Sequence, residues 1–282
     1  MKYIGIIPAR YASTRFPAKP LAILGGKTVI ERVYKQVKDT VDYAAVATDD
    51  QRIYDTVIAF GGNAIMTSTD CKSGTDRCWQ AFSQIENSEN SESSEIENSE
   101  NSESSEIKNS ENSESSENPS TIIINIQGDE PFIQPQQIES LKQCFDDPTV
   151  DIATLVKPFT PTDGLAALEN PNSPKVVVNR KMEAMYFSRS VIPYLRGKER
   201  EQWLSLHTYY KHIGLYAYRA NILKEITQLP QSTLELAESL EQLRWLENGY
   251  KIKVGRTDIE TIGIDTPADL ERAEQFLKAK TI

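Results

Sequence analysis

The sequence contains few of the residues that form metal clusters and disulfide frameworks. Its 282 residues include two histidines and three cysteines, Cys71, Cys78 and Cys144, and no CxxC pair. A structural zinc ion needs four closely spaced Cys or His ligands, which this composition does not supply. We therefore expect a chain with reduced thiols and no structural zinc site.

Long apolar runs are also absent. No segment approaches the ~18–20 consecutive apolar residues that span a bilayer. The beginning of the chain, MKYIGIIPARY, has a single lysine and a short apolar run that ends at Pro8. It lacks the apolar core and the small-residue cleavage site of a secretory signal. These absences predict a cytoplasmic protein that does not insert into membranes.

Acidic residues outnumber basic residues, and the whole difference lies in one segment. The formal net charge is −10, and residues 86–118 form three consecutive 11-residue units that contain eleven Glu and one Lys. The other 249 residues carry 30 acidic and 30 basic side chains. An acidic chain repels nucleic acid and anionic membranes, so we expect no nucleic-acid partner. The acidity itself belongs to the repeat.

The repeat has only two apolar side chains, Ile96 and Ile107. They cannot bury enough surface to offset the entropy lost on ordering, so we predict a disordered, low-complexity acidic insert at 86–118. An 11-residue period also suits a right-handed supercoil, but one Ile per unit gives too narrow an apolar stripe. Surface connections tolerate insertions of this length.

Short apolar runs alternate with helical stretches in the first half of the chain. The runs that predict strands are Tyr3–Pro8, Tyr43–Thr48, Asn63–Met66 and Thr121–Ile126. Helical periodicity falls at Thr28–Lys38, Asp50–Phe60 and Thr75–Ile85. Strands that alternate with helices are typical of βαβ units. We therefore predict an α/β fold with a doubly wound, mainly parallel sheet, and treat 1–282 as a single domain.

The section 152–218 is different, because strands follow one another with few helices between them. The predicted strands are Ile152–Lys157, Lys175–Asn179, Ala184–Phe187 and Lys211–Tyr218, separated by proline-containing loops. This order favours an antiparallel excursion, of the kind that forms an arm or a dimerisation surface. A helix is predicted at Ser232–Asn248, and the last helix begins at Thr266-Pro267 with Thr as its N-cap.

Three cations follow the first predicted strand within ten residues. Arg10, Arg15 and Lys19 lie in a loop at the carboxyl end of that strand, where open α/β sheets bind ligands. The two arginines suit a polyphosphate as forked donors, and the lysine suits it as a point charge. A solvated basic loop is the alternative that composition alone leaves open. The glycine-rich GxGxxG phosphate loop is absent.

This loop, PARYASTRFPAKPL at 8–21, resembles the signature loop of the CMP-Kdo synthetases, or 3-deoxy-manno-octulosonate cytidylyltransferases, a branch of the sugar nucleotidyltransferases. The other motifs of that family follow in the same order along the chain: Ala47-Thr48-Asp49-Asp50, Ser73-Gly74-Thr75-Asp76-Arg77, Asn125-Ile126-Gln127-Gly128-Asp129-Glu130-Pro131, Tyr186-Phe187-Ser188-Arg189-Ser190, His212-Ile213-Gly214-Leu215-Tyr216, Leu240-Glu241-Gln242-Leu243-Arg244 and Gly263-Ile264-Asp265-Thr266-Pro267. The resemblance covers essentially everything except the repeat, and it implies the nucleotide-diphospho-sugar transferase type of fold.

The resemblance also implies the residues that handle CTP. It gives Lys19 to the α-phosphate, Arg10 and Arg15 to the β- and γ-phosphates, and Asp129 and Asp265 to Mg²⁺. The remaining nucleotide-binding positions that it implies are Ala9, Ser13, Ser73, Gly74, Thr75 and Gln127. Taken alone, Asp129 suits a Gly-Asp turn, and Ser73 and Asp265 suit the start of a helix. The family pattern has His where this chain has Cys71, so no binding role is carried to that position.

A second set matches the family positions that face the sugar acid: Arg189, His212, Tyr216, Glu241 and Gln242. A carboxylated, hydroxyl-rich sugar needs a cation and several hydrogen-bonding groups, and this set supplies them. Considered separately, a strand histidine is more often a hydrogen-bonded core residue, and a helix glutamate is more often a solvated one.

The resemblance implies an enzyme that transfers the cytidylyl group of CTP to 3-deoxy-D-manno-octulosonate (Kdo) and releases pyrophosphate. The product, CMP-Kdo, would serve synthesis of the lipopolysaccharide core, with Mg²⁺ as cofactor and a homodimer as the assembly. One alternative is a cytidylyltransferase for another 2-keto sugar acid, namely 8-amino Kdo or sialic acid. A more distant alternative is a non-catalytic nucleotide-binding scaffold whose acidic tract recruits a basic partner.

Overall fold

A nine-stranded mixed sheet with helices on both faces forms the centre of the protein. The structure is a computed structural model that describes residues 1–12, 15–100, 120–260 and 262–280. Its strands are β1 Lys2–Ala9, β2 Ile23–Leu24, β3 Lys27–Thr28, β4 Tyr43–Thr48, β5 Ala64–Met66, β6 Thr121–Asn125, β7 Ile152–Pro158, β8 Lys175–Val178, β9 Ala184–Ser188, β10 Tyr210–Arg219 and β11 Ile252–Arg256.

The helices on the two faces of this sheet are mostly short. They are α1 Val29–Val37, α2 Gln51–Ala59, α3 Gly74–Glu100, α4 Pro135–Lys142, α5 Gly164–Glu169, α6 Trp203–Leu206, α7 Ala220–Thr227, α8 Thr233–Glu238, α9 Gln242–Glu247 and α10 Pro267–Lys280. No helix among these described segments is long and apolar enough to cross a membrane.

The strand order is β11-β7-β10-β6-β1-β4-β5, and β8 and β9 extend the sheet beside β10. Strand β1 pairs in parallel with β4 and with β6, whereas β10 is antiparallel to both β6 and β7. The predicted fold class is therefore confirmed: the sheet is mainly parallel, and β8, β9 and β10 form the antiparallel excursion. The carboxyl ends of β1 and β6 lie at one edge of the sheet.

Both faces of the central strands are buried, which explains their continuous apolar sequences. All five residues of β6 and most of β1 are inaccessible to solvent. Side chains that alternate along β1 and β6 contribute to two cores, one under α1 and α4 and the other under α3 and α7. A parallel strand with helices above and below has no solvent-facing side, so it cannot show polar alternation.

The predicted helix over Ser232–Asn248 is wrong in one respect, because two helices occupy this segment. Helix α8 ends at Glu238, the next residue, Ser239, has a φ of 51° in the left-handed region, and α9 begins only at Gln242. A left-handed residue cannot continue a right-handed helix, so the chain changes direction there. The hairpin of β2 and β3, strand β11, and helices α4 to α7 are further elements that the sequence did not predict.

Helix α3 enters the segment 86–118, which the sequence predicts to be disordered. Helix α3 continues past the predicted end at Ile85 and reaches Glu100. Glutamate is a good helix former, and the Ser88 hydroxyl donates to the Ile85 carbonyl at 2.7 Å. The Nζ of Lys2 lies 2.5 Å from the carboxylate of Glu89, which ties this turn to β1. The rest of the insert, 101–118, lies outside the described residues.

Candidate active site

A cleft of about 350 Å³ opens at the carboxyl ends of β1 and β6. Its lining combines the loop after β1, the loop after β6 and the start of α3. The lining residues are Pro8, Ala9, Arg10, Ala12, Arg15, Lys19, Pro20, Gly74, Arg77, Gln127, Gly128 and Asp129. The structure thus brings together seven of the residues predicted to bind CTP, from three separate parts of the sequence. Ser13 lies outside the described residues.

The loop after β1 is closed by its own backbone. The amide of Ala18 donates to the carbonyl of Tyr11 at 3.0 Å, and Ala18 adopts a left-handed conformation with φ of 58°. This turn delivers Lys19 to the cleft at the start of a short 3-10 helix, Lys19–Leu21. On the outer side, the guanidinium of Arg52 stacks on the Tyr11 ring at 3.3 Å from its centroid. The loop is therefore fastened to α2 as well as to β1.

Asp129 reaches the cleft through a turn that only glycine permits. A Cβ atom on Gly128 would lie 2.9 Å from the carbonyl oxygen of Pro8. Carbon and oxygen atoms do not approach that closely without displacing the backbone, so a larger residue would separate the loops after β1 and β6. This close approach explains the glycine between Gln127 and Asp129.

Asp129 and Asp265 are far apart in sequence and adjacent in the structure. The Nζ of Lys19 lies 2.5 Å from Asp129 Oδ2 and 3.3 Å from Asp265 Oδ1. The guanidinium of Arg15 lies 3.1 Å from Asp265 Oδ2. The segment before α10 is anchored by the amide of Ile264, which donates to the Asp129 carbonyl at 2.9 Å. Two carboxylates therefore share one ammonium at the rim of the cleft.

These two carboxylates fit a divalent cation that is delivered with a nucleoside triphosphate. No group of three or more His, Cys, Asp or Glu able to hold a metal occurs among the described residues. A complete protein cage is thus absent from that part of the chain. Mg²⁺ bound to ATP-like substrates normally uses one or two carboxylates and takes its other ligands from phosphate oxygens and water. The donor set here meets that requirement.

The start of α3 forms the third wall of the cleft. Ser73 and Asp76 cap this helix reciprocally: Ser73 Oγ accepts from the Asp76 amide at 3.1 Å, and Asp76 Oδ2 accepts from the Ser73 amide at 3.1 Å. The N-cap alternative for Ser73 therefore holds. Gly74 lines the cleft, whereas the Thr75 hydroxyl points away from it and donates to Glu241 Oε2 at 2.7 Å.

Arg77 is a cleft residue to which the sequence reasoning gave no role. Its side chain is 1% exposed, and its Nη2 lies 2.7 Å from Asp49 Oδ2. A second nitrogen donates to the Thr67 hydroxyl, while Nε has no partner in the described part of the chain. A buried arginine needs a counter-ion, so Asp49 of the Ala-Thr-Asp-Asp motif is its structural complement. Both residues belong to motifs of the sequence, but the sequence did not predict that they form an ion pair.

His212 and Tyr216 lie together on one face of β10. Their rings are 5.3 Å apart, and the His212 Nε2 lies 3.1 Å from the Thr154 hydroxyl. Burial lowers the pKa of His212 to about 3, so the ring is neutral near pH 7. Because Thr154 Oγ1 directs its own proton to the Leu215 carbonyl at 2.9 Å, we assign the histidine proton to Nε2. Nδ1 is then an acceptor.

Glu241 and Gln242 enter the same region from the turn between α8 and α9. Burial raises the pKa of Glu241, and hydrogen bonds from Thr75 and Ser73 act in the opposite direction. The Gln242 amide nitrogen and the Tyr216 hydroxyl are buried with no hydrogen-bond partner among the described atoms. Unpaired buried polar atoms are costly, and a hydroxyl-rich ligand would satisfy them.

Arg189 follows β9 and is held by backbone oxygens. Its guanidinium donates to the carbonyls of Glu238 at 2.6 Å, Pro171 at 2.9 Å and Ser239 at 3.1 Å. Three of its five N–H groups are therefore engaged, and two remain for a ligand. The predicted sugar-binding residues lie outside the lining of the cleft, and the hydrogen bond between Thr75 and Glu241 connects the two sets.

Comparison with known proteins shows which family has a similar sequence. The sequence profile described as cytidylyltransferase matches residues 4–100 and 92–252. The 3-deoxy-manno-octulosonate cytidylyltransferase of Phocaeicola vulgatus is 61% identical over 280 residues, which is 99% of each chain. The enzyme of the same name from Bacteroides thetaiotaomicron is 60% identical over 281 residues and the full length of both chains.

A solved structure agrees with these relatives. The solved CMP:2-keto-3-deoxy-manno-octonic acid synthetase in complex with CTP is 38% identical, with a TM-score of 0.80 over 99% of this chain and all of that one. The match includes both the parallel part of the sheet and the antiparallel excursion. The chain therefore belongs to the cytidylyltransferase family, in the group of the 3-deoxy-manno-octulosonate cytidylyltransferases.

Proposed function

We propose that this protein transfers the cytidylyl group of CTP to Kdo and releases pyrophosphate, which provides CMP-Kdo for lipopolysaccharide core synthesis. The observation that carries the proposal is the Lys19, Asp129 and Asp265 cluster beside a cationic cleft. The relatives named for this activity, at 60% identity and above over essentially the whole chain, support the choice of Kdo.

The chemistry is an in-line displacement in which positioning and charge do most of the catalysis. The anomeric hydroxyl of the sugar attacks the α-phosphorus, the bond to the β-phosphate oxygen breaks, and pyrophosphate leaves. Lys19 contacts the α-phosphate, where negative charge accumulates during the transfer. Arg10 and Arg15 hold the leaving phosphates. We assign Gln127, Gly74 and Ala9, which line the cleft, to the nucleoside.

We further propose that Asp129 and Asp265 hold Mg²⁺ when CTP is bound. The ion would neutralise phosphate charge and act as a Lewis acid on the oxygens that it contacts. In the structure, Lys19 lies beside both carboxylates and offsets their mutual repulsion. When nucleotide arrives, the phosphate oxygens become a new partner for this ammonium.

The metal assignment is tested by Asp129→Asn. Turnover should fall at least 100-fold, because a neutral amide is a poor Mg²⁺ ligand, while metal-free binding of CTP, measured by calorimetry, should remain within threefold of the wild type. Asp258→Asn is the matched control, since Asp258 is 80% exposed and pairs only loosely with Arg256 at 3.4 Å. Full activity of Asp129→Asn would contradict the assignment.

The sugar-binding role of Arg189, His212, Tyr216, Glu241 and Gln242 also belongs to this proposal. Their support is a buried region that offers a cation, a neutral acceptor and unpaired polar atoms within one part of the fold. Side-by-side turnover with Kdo, 8-amino Kdo and sialic acid tests the choice of substrate. Kdo should give the largest kcat/KM, and a preference for either of the others would reassign the enzyme.

We propose a homodimer that is built on the antiparallel excursion, in the cytoplasm. Among the described strands, β9 pairs only with β8, and Glu183, just before β9, forms an isolated antiparallel bridge with Lys253 of β11. Three large apolar side chains of the section 152–218 are more than half exposed, namely Met185, Tyr194 and Leu206, and Leu236 of α8 is exposed to a similar degree. Light scattering of the purified protein should give twice the chain mass, and Met185→Glu should lower that mass if β9 forms the contact.

A further inference from the structure

Lys175 is a buried cation that the proposed reaction does not use. It lies in β8 and is 0% exposed, although lysine is rarely buried completely unless it is paired. None of the described carboxylates lies within ion-pair distance of its Nζ. Instead, Nζ donates to two backbone oxygens, those of Asn170 at 3.1 Å and Arg189 at 2.6 Å. Burial is the main cause that lowers the pKa of Lys175.

The two oxygens connect Lys175 to the sugar-binding arginine on both sides. One of them is the carbonyl of Arg189 itself. The other belongs to Asn170, whose neighbour Pro171 accepts from the Arg189 guanidinium at 2.9 Å. Lys175 therefore fixes the backbone of Arg189 and also one of the segments against which its side chain rests.

The local charge balance favours an anion. The acid that interacts most strongly with Lys175 is Glu238, whose carboxylate already accepts from the Ser188 hydroxyl at 2.6 Å and from the Arg189 amide at 2.9 Å. Arg189 and Lys175 together contribute two positive charges against this single negative charge. Of these two cations, Lys175 is buried, so water screens its charge less than that of the partly exposed Arg189.

We propose that Lys175 is a positioning residue that holds Arg189 in place for the carboxylate of the sugar acid. This inference rests on the proposed function, because Arg189 has a role only if a sugar acid binds. Lys175 does not touch the substrate in this account. It fixes the carbonyl of Arg189 and the segment at Asn170 and Pro171, so that the two remaining guanidinium N–H groups keep their direction.

The test compares Lys175→Met with Lys253→Met. Lys253 is a suitable control because it also lies in a strand, β11, and donates to a backbone carbonyl, that of Lys181 at 2.7 Å. Lys175→Met should raise the KM for Kdo about tenfold and leave the KM for CTP within twofold, because a hydrogen bond to a charged ligand group is weakened. Lys253→Met should leave both constants within twofold of the wild type.

A double-mutant cycle separates positioning from general destabilisation. In an Arg189→Gln background, Lys175→Met should have little further effect on the KM for Kdo, because the arginine through which it acts is gone. Lys175→Gln, which keeps a neutral donor, should give a smaller rise than Lys175→Met. Wild-type Kdo turnover is the reference, and its absence would refute the proposed function rather than this inference.

Three outcomes would overturn the positioning role. The first is a KM for Kdo that Lys175→Met leaves unchanged. The second is a loss of selectivity: Lys175→Met raises the KM for CTP as much as the KM for Kdo, or its effect on the KM for Kdo is the same in the Arg189→Gln background as in the wild type. The third is loss of the fold in both Lys175 variants, because the lysine would then stabilise the chain rather than the arginine.

Discussion

At the scale of single residues, the open cleft and the more buried region beside it offer different partners to a ligand. Arg10, Arg15 and Lys19 line the open cleft, where water and phosphate can both reach them. Desolvation lowers the pKa of the half-buried His212 to about 3, so its ring is neutral near pH 7, and burial raises the pKa of Tyr216 well above its usual value. The first part suits a polyphosphate, and the second suits a ligand whose hydroxyl groups need neutral hydrogen-bond partners.

The low pKa of His212 makes stability depend on pH. The folded pKa is about 3, below the value of 6.5 for a free histidine, so between these values the unfolded chain binds a proton that the folded chain does not. Acid therefore favours unfolding, and this contribution to stability is lost as the pH falls from 6.5 towards 3. Replacing the histidine removes the effect.

We predict that lowering the pH from 7.5 to 5.0 destabilises the wild type by roughly 2 kcal/mol more than His212→Gln. Glutamine has no proton to gain, and its amide can still donate to Thr154. Urea unfolding of both proteins at the two pH values measures the difference. Equal losses of the free energy of unfolding would show that His212 is not buried in the neutral form.

At the scale of elements, the break between α8 and α9 shows where the sequence was insufficient. Leucines at helical spacing predicted one helix over Ser232–Asn248. The spacing of apolar residues does not show that a single residue between them adopts a left-handed conformation. That residue, Ser239, frees its own carbonyl and that of Glu238 from helical hydrogen bonds, and Arg189 takes both. The interruption therefore belongs to the site that we propose for the sugar, and its partner, Arg189, lies 50 residues earlier in the chain.

Two substitutions at Ser239 test this account. Ser239→Gly should keep the activity and change the free energy of unfolding by no more than about 1 kcal/mol, since glycine adopts positive φ without strain. Ser239→Val should destabilise the protein by about 1–3 kcal/mol and raise the KM for Kdo, because a β-branched residue resists this conformation. Thermal unfolding and initial rates provide both quantities. Equal behaviour of the two variants would contradict the role of the break.

At the scale of the whole molecule, the architecture could be predicted from the sequence more fully than the side-chain contacts of the site. Continuous apolar runs located eight strands of the sheet, because burial on both faces leaves a strong local signal. The motifs predicted the cation loop and both carboxylates. They did not predict that Lys19 lies between Asp129 and Asp265, or that Arg77 pairs with Asp49, because those distances depend on how separate loops meet.

At the same scale, no described residue of the acidic repeat lines the cleft. Its three units supply the entire net charge of −10, and it lies between the Ser73–Arg77 and Asn125–Pro131 motifs without interrupting either. One contact of its described part with the body is the exposed ion pair of Lys2 with Glu89, and exposed pairs contribute at most about 1 kcal/mol.

We predict that deleting 86–118, which joins Ile85 to Pro119, leaves kcat and both KM values within about twofold of the wild type. The deletion should also abolish strong binding to an anion-exchange resin, because the remaining chain has balanced charges. Steady-state rates of the two proteins provide the comparison. A large loss of turnover would contradict this prediction, because it would mean that the repeat contributes to catalysis.

Pyrophosphate release from CTP by the wild-type protein tests the central claim most directly. With Mg²⁺ and Kdo present, we predict release of one pyrophosphate for each CMP-Kdo formed, and little release when Kdo or Mg²⁺ is omitted or when ATP, GTP or UTP replaces CTP. In this account the cationic cleft binds CTP, the paired carboxylates hold Mg²⁺ and the buried hydrogen-bonding region binds Kdo, so the reaction requires all three. Release that does not depend on Kdo, or no release at all, would contradict the account.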